Sequence, residues 1–253
     1  RSSNAHQDKR QTHSFVTGVE SRHGMKLRVH GGGRDQAQRM PSLMLSPGDD
    51  VWCCVDAARG AVRDDDGATV VLTGMRREQV SGLLDLRDGA PIDLYATPAV
   101  FEHLTLTLPV LPVLQQFCGV QWHLIPVAGE QRAADFMVER LPTLVFTALT
   151  AVDGVAGERI ALAVRDERSR SRLFVVHGDS LDSAAFDSML DWMRDADCVV
   201  IDRAPQGANT RWLDRLAGVA SPRKLLLDAN GSDRSLYTAC GIECAQGAME
   251  FEL

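Results

Sequence analysis

Residues 71–83 read VLTGMRREQVSGL, and this stretch decides the fold class. It begins inside a short β-branched run, residues 69–73, which predicts a buried strand. Apolar residues then recur at near-helical spacing over residues 76–86, which predicts an amphipathic helix that the Asp88-Gly89 pair ends. A buried strand that turns directly into a helix is typical of a sheet covered by helices.

Strands and helices alternate in the same way on both sides of this stretch. Residues 43–46 and 51–56 flank a Pro-Gly turn, which predicts a hairpin, and Thr97-Pro98 is a typical helix start. Strands 121–126, 136–138 and 143–147 are assigned to a second sheet. Further strands are predicted at 26–30, 92–96, 159–165, 172–177, 198–202, 224–228, 241–244 and 249–253, and helices at 99–104, 109–118, 182–194 and 210–216. The pattern predicts an α/β fold, an αββα sandwich whose halves join near residues 128–134.

Composition excludes several classes of partner. The net charge is -7 and aromatic residues make up 6% of the chain, so neither a basic face for phosphates nor a stacking platform for bases is expected. No apolar run approaches the roughly 20 residues that span a bilayer. We therefore expect no nucleic acid and no membrane among the partners.

The N-terminal residues 1–24 are polar, hold three of the seven His and lack the apolar core of a secretory signal. We interpret them as an expression leader, which Ser3-Asn4-Ala5 favours, or as a disordered native extension, and residues 25–253 as a single domain. The six Cys form no C-x-x-C pair, which together with the missing signal indicates free thiols and a cytoplasmic protein.

The stretch 71–83 resembles the signature of the metallo-β-lactamase superfamily, in which Leu-Thr-His-x-His-x-Asp-His-x-x-Gly-Leu follows a buried strand. Gly74, Arg76, Glu78 and Gln79 stand where that signature has His, His, Asp and His. Gly has no donor atom, Arg is permanently cationic and Gln is a poor zinc ligand, so Glu78 alone could still bind a metal. The resemblance implies the superfamily's αββα sandwich without most of its usual ligands.

Two later strand ends extend the resemblance. Residues 173–180, LFVVHGDS, are similar to the strand and Gly-Asp-Ser of the superfamily, whose Asp bridges two metals; Asp179 keeps that identity and His177 precedes it. Asp179 or Ser180 could instead cap the following helix. Residues 224–230 resemble the late strand that ends in a ligand His, with Asp228 in that place and Asn230 after it.

Within the superfamily the chain most resembles the coenzyme PQQ synthesis protein B family. Residues 82–89, GLLDLRDG, are similar to that family's Gly-Leu-Leu-x-Leu-Arg-x-Gly, and residues 95–104, 117–122, 196–202 and 241–253 also follow its pattern. The family's Cys-rich zinc knuckle is missing, because no Cys lies between residues 33 and 51, and the segments after residues 202 and 228 are short.

These comparisons define one set of candidate site residues: His30, Asp56, Gly74, Arg76, Glu78, Gln79, His177, Asp179, Asp228 and Asn230. No cofactor is expected, although one divalent metal could bind Glu78, Asp179 and Asp228 weakly. Arg76 could equally serve as an internal counter-ion to the carboxylates, with no metal.

Three functions remain open. The first is an accessory or binding protein in or near pyrroloquinoline quinone synthesis, a pseudoenzyme that holds a small anionic, quinone-like or peptide-derived molecule near Arg76 and Arg77. The second is a metal-dependent hydrolase or oxygenase with a rearranged single-metal site. The third is a protein–protein interaction module, for which an oligomer and an exposed apolar patch are expected.

Overall fold

The computed structural model describes residues 24–30, 41–48, 50–58, 67–127, 132–150, 157–205, 210–228, 233–245 and 247–253. The predicted leader, apart from Gly24, and Asn230 lie outside these ranges. Within the described residues, no helix combines the length and the apolar character needed to cross a membrane.

Two seven-stranded sheets form the centre of the molecule. The first has the order β14-β1-β2-β3-β4-β5-β6 and the second the order β13-β12-β11-β10-β9-β8-β7. The strands are β1 Lys26–His30, β2 Ser42–Ser46, β3 Cys53–Val55, β4 Ala68–Val71, β5 Ile92–Ala96, β6 Val120–Leu124, β7 Ala133–Met137, β8 Leu144–Thr150, β9 Ile160–Asp166, β10 Arg172–Val176, β11 Cys198–Arg203, β12 Arg223–Asp228, β13 Glu243–Cys244 and β14 Met249–Glu252.

Short helices cover the outer face of each sheet. They are α1 Arg77–Val80, a 3-10 helix Ser81–Leu86, α2 Pro98–Glu102, a π-helix His103–Thr107, α3 Val110–Phe117, α4 Gly178–Leu181, α5 Ala185–Asp195, α6 Arg211–Ala217 and α7 Arg234–Ala239. One apolar cluster lies between the two sheets. A second lies between the second sheet and its helices, and a third between the first sheet and its helices. The predicted α/β class and αββα layering are therefore confirmed.

Strand pairing explains where the second sheet begins. Residues 121–126 were expected in the second sheet, but β6 pairs in parallel with β5 and forms the edge of the first sheet. The prediction was wrong because the helices after β5 act as a crossover, which returns the chain parallel to and beside the strand it left. The change of sheet falls between β6 and β7, at the predicted joint.

Two predicted helices are shorter than their apolar patterns. The helix expected over residues 76–86 is α1 followed by a 3-10 helix, in which Gly82 lies against the backbone of Ala58: a Cβ added there would be 2.0 Å from that carbonyl oxygen. The helix expected from residue 182 begins at Ala185, whose N–H donates to Ser183 Oγ. Asp179 and Ser180 lie inside the separate turn α4, and the residue before α5 is Ala184, so the alternative in which either of them caps this helix does not hold.

Candidate functional site

The candidate site forms where the ends of four strands meet. β3 and β4 are parallel in the first sheet, and β10 and β11 are parallel in the second. Asp56 directly follows β3, His177 follows β10, and Asp202 lies near the end of β11. Because parallel strands present their carboxyl ends at one edge of a sheet, the sandwich brings these polar side chains together.

The guanidinium of Arg76 lies at the centre of this cluster. Its Nη1 donates to Asp179 Oδ2 at 3.0 Å, and its Nη2 donates to Asp202 Oδ2. Nη2 is also 3.1 Å from His177 Nδ1. One planar cation thus links the loop after β4, in the first sheet, to two strand ends of the second sheet, an arrangement suited to the forked geometry of arginine.

Asp179 lies near two further arginines besides Arg76. Arg203 Nη2 donates to Asp179 Oδ2 at 3.0 Å, and Arg159 Nη1 lies 3.9 Å from the same oxygen. Since Asp179 is 31% exposed, these contacts are partly screened by solvent. The carboxylate is held by arginines from three different segments of the chain.

His177 is buried between two hydrogen-bond acceptors. Its Nδ1 lies 3.0 Å from Asp202 Oδ2, and its Nε2 lies 3.3 Å from the carbonyl oxygen of Thr73. Through these two contacts His177 adds a second link between the two sheets.

Gln79 organises the first-sheet half of the site. Its Oε1 accepts from the backbone N–H of Arg76 at 3.2 Å, and its Nε2 donates to Asp56 Oδ2 and to Thr73 Oγ1, each at 3.0 Å. Thr73 in turn donates to both oxygens of Asp56, through its N–H at 2.8 Å and its hydroxyl at 2.7 Å. Asp56 adopts a left-handed backbone with φ of 59°, which points to a constrained turn after β3.

The two inner carboxyls respond in opposite ways to burial. For Asp202, burial would raise the pKa, but the hydrogen bond and charge of His177, together with Arg76 and the N–H of Gly178, lower the pKa to about 2. For Asp56, burial raises the pKa above its ordinary value, and the opposing effects of His177, Thr73 and Gln79 do not cancel it. Asp202 is therefore the firmly ionised partner of the guanidinium.

Three of the predicted site residues do not join this network. Glu78 is exposed on the first turn of α1, and the described contacts give it no bond to Asp179. Asp228 ends β12, one strand beyond Asp202, and burial raises its pKa. His30 ends β1, which is separated from β3 by β2, so it lies roughly 10 Å from Asp56 across two strand spacings.

Four residues of the network were not singled out from the sequence: Thr73, Arg159, Asp202 and Arg203. Asp202 carried a usable signal, because it ends an apolar run, CVVI, that reads as a buried parallel strand. An acid at the carboxyl end of such a strand lies where ligands bind in parallel sheets. The two arginines have no comparable sequence signal.

The residues present do not fit a metal of the superfamily's usual kind. The guanidinium of Arg76 occupies the space between Asp179 and Asp202, and a second cation there would be repelled. A Cβ added to Gly74 would lie 2.6 Å from Gln79 Oε1, so the carboxamide fills the place of a side chain at position 74. Across the described part of the chain, no group of three or more His, Cys, Asp or Glu is arranged to hold a metal ion, and Glu78, Asp179 and Asp228 are not brought together.

Little space remains beside the network. A cavity of about 30 Å³ is lined by Asp56, Glu78, Gln79 and Asp202, together with apolar side chains. This volume accommodates little more than one or two water molecules. A larger molecule would therefore bind over the strand ends rather than inside this cavity.

Comparison with known sequences gives a consistent set of relatives. A family model described as the beta-lactamase superfamily domain matches residues 55–214. Coenzyme PQQ synthesis protein B of Klebsiella pneumoniae subsp. pneumoniae is 30% identical over 237 residues, which covers 77% of this chain and 75% of the relative. The protein of the same name from Acinetobacter baumannii strain AYE is 30% identical over 161 residues, or 60% of this chain, and the match spans only 50% of that relative's length.

Solved structures agree on the fold. The crystal structure of Zn(2+)-bound PqqB from Methylobacterium extorquens superposes with a TM-score of 0.63 at 17% identity, covering 90% of this chain and 100% of that chain. Identity at this level shows the shared fold alone. The zinc named there belongs to that protein.

Proposed function

Because the chain belongs to the beta-lactamase superfamily and, within it, to the coenzyme PQQ synthesis protein B family, we propose that it is a metal-free accessory or binding protein in or near pyrroloquinoline quinone biosynthesis. The observation that carries this proposal is the position of the Arg76 guanidinium between Asp179 and Asp202. In this role the protein supplies a binding surface, and the Arg76 guanidinium neutralises the carboxylates at the strand ends.

The ligand we propose is a small anionic, quinone-like or peptide-derived molecule. Arg77 is exposed and directly follows Arg76 in the chain, and Arg159, which lies 3.9 Å from Asp179, is 37% exposed, so two exposed arginines belong to segments that form the network. Guanidinium binds carboxylates in a planar, two-point manner. Cytoplasmic location is part of the proposal and is favoured by the six cysteines, none of which forms a disulfide, as expected in a reducing compartment.

A rearranged single-metal enzyme is less well supported. That function requires Glu78 and Asp228 to approach Asp179, and the described contacts join neither residue to it. The carboxylate that lies near Asp179 is instead that of Asp202, and the Arg76 guanidinium binds both.

Metal content tests the proposal directly. The chain would be stripped of metal with chelator, dialysed against zinc and measured by elemental analysis. A variant with His6, His13 and His23 changed to Ala would be measured beside it, so that the histidines of residues 1–24 cannot contribute zinc. We expect that variant to retain far less than one equivalent of zinc. One equivalent retained by both proteins would contradict a metal-free site.

Ligand binding is tested with pyrroloquinoline quinone itself as the probe. We expect a saturable rise in Tm that shrinks in Arg77→Ala, because an exposed guanidinium is removed without touching the network. Arg194→Ala, at an exposed position on α5, is the matched control and should behave as wild type. No Tm change in wild type at saturating probe would rule out this ligand class.

A further inference from the structure

An uncharged surface lies at the edge of the first sheet, away from the arginine network. Residues 103–129 contain no Asp, Glu, Lys or Arg, although 24% of the chain is charged. The π-helix, α3 and the edge strand β6 all fall within this interval. Charged residues are the class most depleted from the centres of protein interfaces, so the interval has the composition of a contact surface.

The same interval exposes large apolar side chains. Six of the ten exposed large hydrophobic residues in the described chain lie between residues 106 and 124: Leu106, Leu108, Val113, Phe117, Trp122 and Leu124. Leu106 is 71% exposed, Phe117 65% and Leu124 53%. Exposed apolar side chains concentrated in one short interval are typical of a surface that another protein covers.

Strand β6 adds unpaired backbone to this surface. It pairs with β5 on one side and is the last strand of its sheet, so its other edge has no strand partner among the described residues. Its sequence, VQWHL, has no charge and no Pro, the residues with which edge strands commonly prevent pairing. An uncharged edge strand flanked by apolar side chains is a template for another strand.

We propose that this surface, β6 with the π-helix and α3, is the interface of a symmetric dimer of this chain. Each copy carries a net charge of -7, so two copies approach most favourably where neither presents a charge. Antiparallel pairing of β6 with its equivalent is compatible with two-fold symmetry, in which the same patch serves both subunits. The pairing would join the two first sheets across the dimer.

The mass of the full chain in solution tests this proposal. Light scattering coupled to size exclusion should give twice the 27.6 kDa chain mass at about 100 µM, well above the dissociation constant of a stable dimer. Leu124→Glu and Leu106→Glu each place a charge in the contact and should weaken dimerisation by roughly 100-fold or more. Both positions are exposed, so each variant should keep the wild-type circular dichroism spectrum and Tm measured at a concentration where wild type is monomeric.

Leu236→Glu is the matched control. Leu236 is 43% exposed on α7, outside the uncharged interval, and its substitution should leave the dimer unchanged. A wild-type protein that is monomeric at about 100 µM would overturn the proposal. So would a dimer that survives both Leu124→Glu and Leu106→Glu, because the contact would then lie elsewhere.

Discussion

Replacing Arg76 by Met tests whether the guanidinium holds the two sheets together. The change keeps an unbranched side chain but removes the donors to Asp179 and Asp202. A hydrogen bond to a charged group contributes about 1.5–3 kcal/mol, and a buried carboxylate left without its partner adds a penalty. Arg76 is 24% exposed and Asp179 31%, which reduces these values, so we expect the free energy of unfolding to fall by about 3 kcal/mol.

The assay is urea denaturation at pH 7, supported by thermal melting. A loss of about 3 kcal/mol corresponds to a Tm lower by roughly 6–12 °C in a chain of this size. Arg76→Lys keeps the charge but cannot donate to both carboxylates in one plane, so it should lose an intermediate amount. Arg77→Met, at the neighbouring exposed position, should lose less than about 0.5 kcal/mol.

A second measurement separates the ion pair from packing. The difference between wild type and Arg76→Met should shrink as the pH falls from about 4 through 2, because Asp202 becomes protonated over this range. The reasoning is refuted if Arg76→Met is as stable as Arg77→Met at pH 7, or if its deficit is independent of pH.

Other substitutions follow from the same geometry. Asp202 has a folded-state pKa of about 2, below its ordinary 3.8, so its contribution of about 2 kcal/mol to stability is present above pH 4 and lost as the pH falls through 2. In Asp202→Asn the free energy of unfolding should therefore change less with pH between 4 and 2. A pH dependence equal to that of wild type would contradict the ionised state of Asp202. Gly74→Ala should lower the free energy of unfolding by about 1–3 kcal/mol, because its Cβ would meet Gln79 Oε1 at 2.6 Å. The double variant with Gln79→Ala should be more stable than the sum of the two single losses predicts. Losses that add strictly in urea denaturation would refute the contact. Gly178→Ala would place a Cβ 1.9 Å from the carbonyl oxygen of Arg203, so we expect a loss above about 3 kcal/mol or no soluble protein, and wild-type stability would disprove the close approach.

The fold was predictable because its signals are local and repeated. Apolar runs bounded by turn residues marked nearly every strand, and Thr97-Pro98 marked a helix start that the structure keeps: Thr97 Oγ1 accepts from the N–H of Val100. The order of the strands could not be predicted in this way, because β6 carries no residue that distinguishes the edge of one sheet from the start of the next. Its place is set by the crossover from β5, which is a property of the connection.

The site was predictable only in part. Arg76 as an internal counter-ion could be inferred because a permanent cation stood in a motif otherwise built for ligands, and the structure brings it to Asp179. Its second partner, Asp202, is distant in sequence and is placed by the parallel register of β10 and β11. Glu78 was chosen for its residue type, but on α1 it is exposed and makes no described bond to Asp179, which only the three-dimensional structure reveals.

The contact between Gly74 and Gln79 has an evolutionary consequence. Gly74→His on its own would collide with the Gln79 carboxamide, and Gln79→His on its own would remove the acceptor of the Arg76 N–H. Arg76→His on its own would leave Asp179 and Asp202 without their shared guanidinium. Each single change toward the superfamily's histidine-rich motif is therefore expected to give a less stable protein. Under the metal-free function proposed above, these three positions constrain one another, and a metal site of the superfamily's usual kind requires changing them together and Glu78 with them.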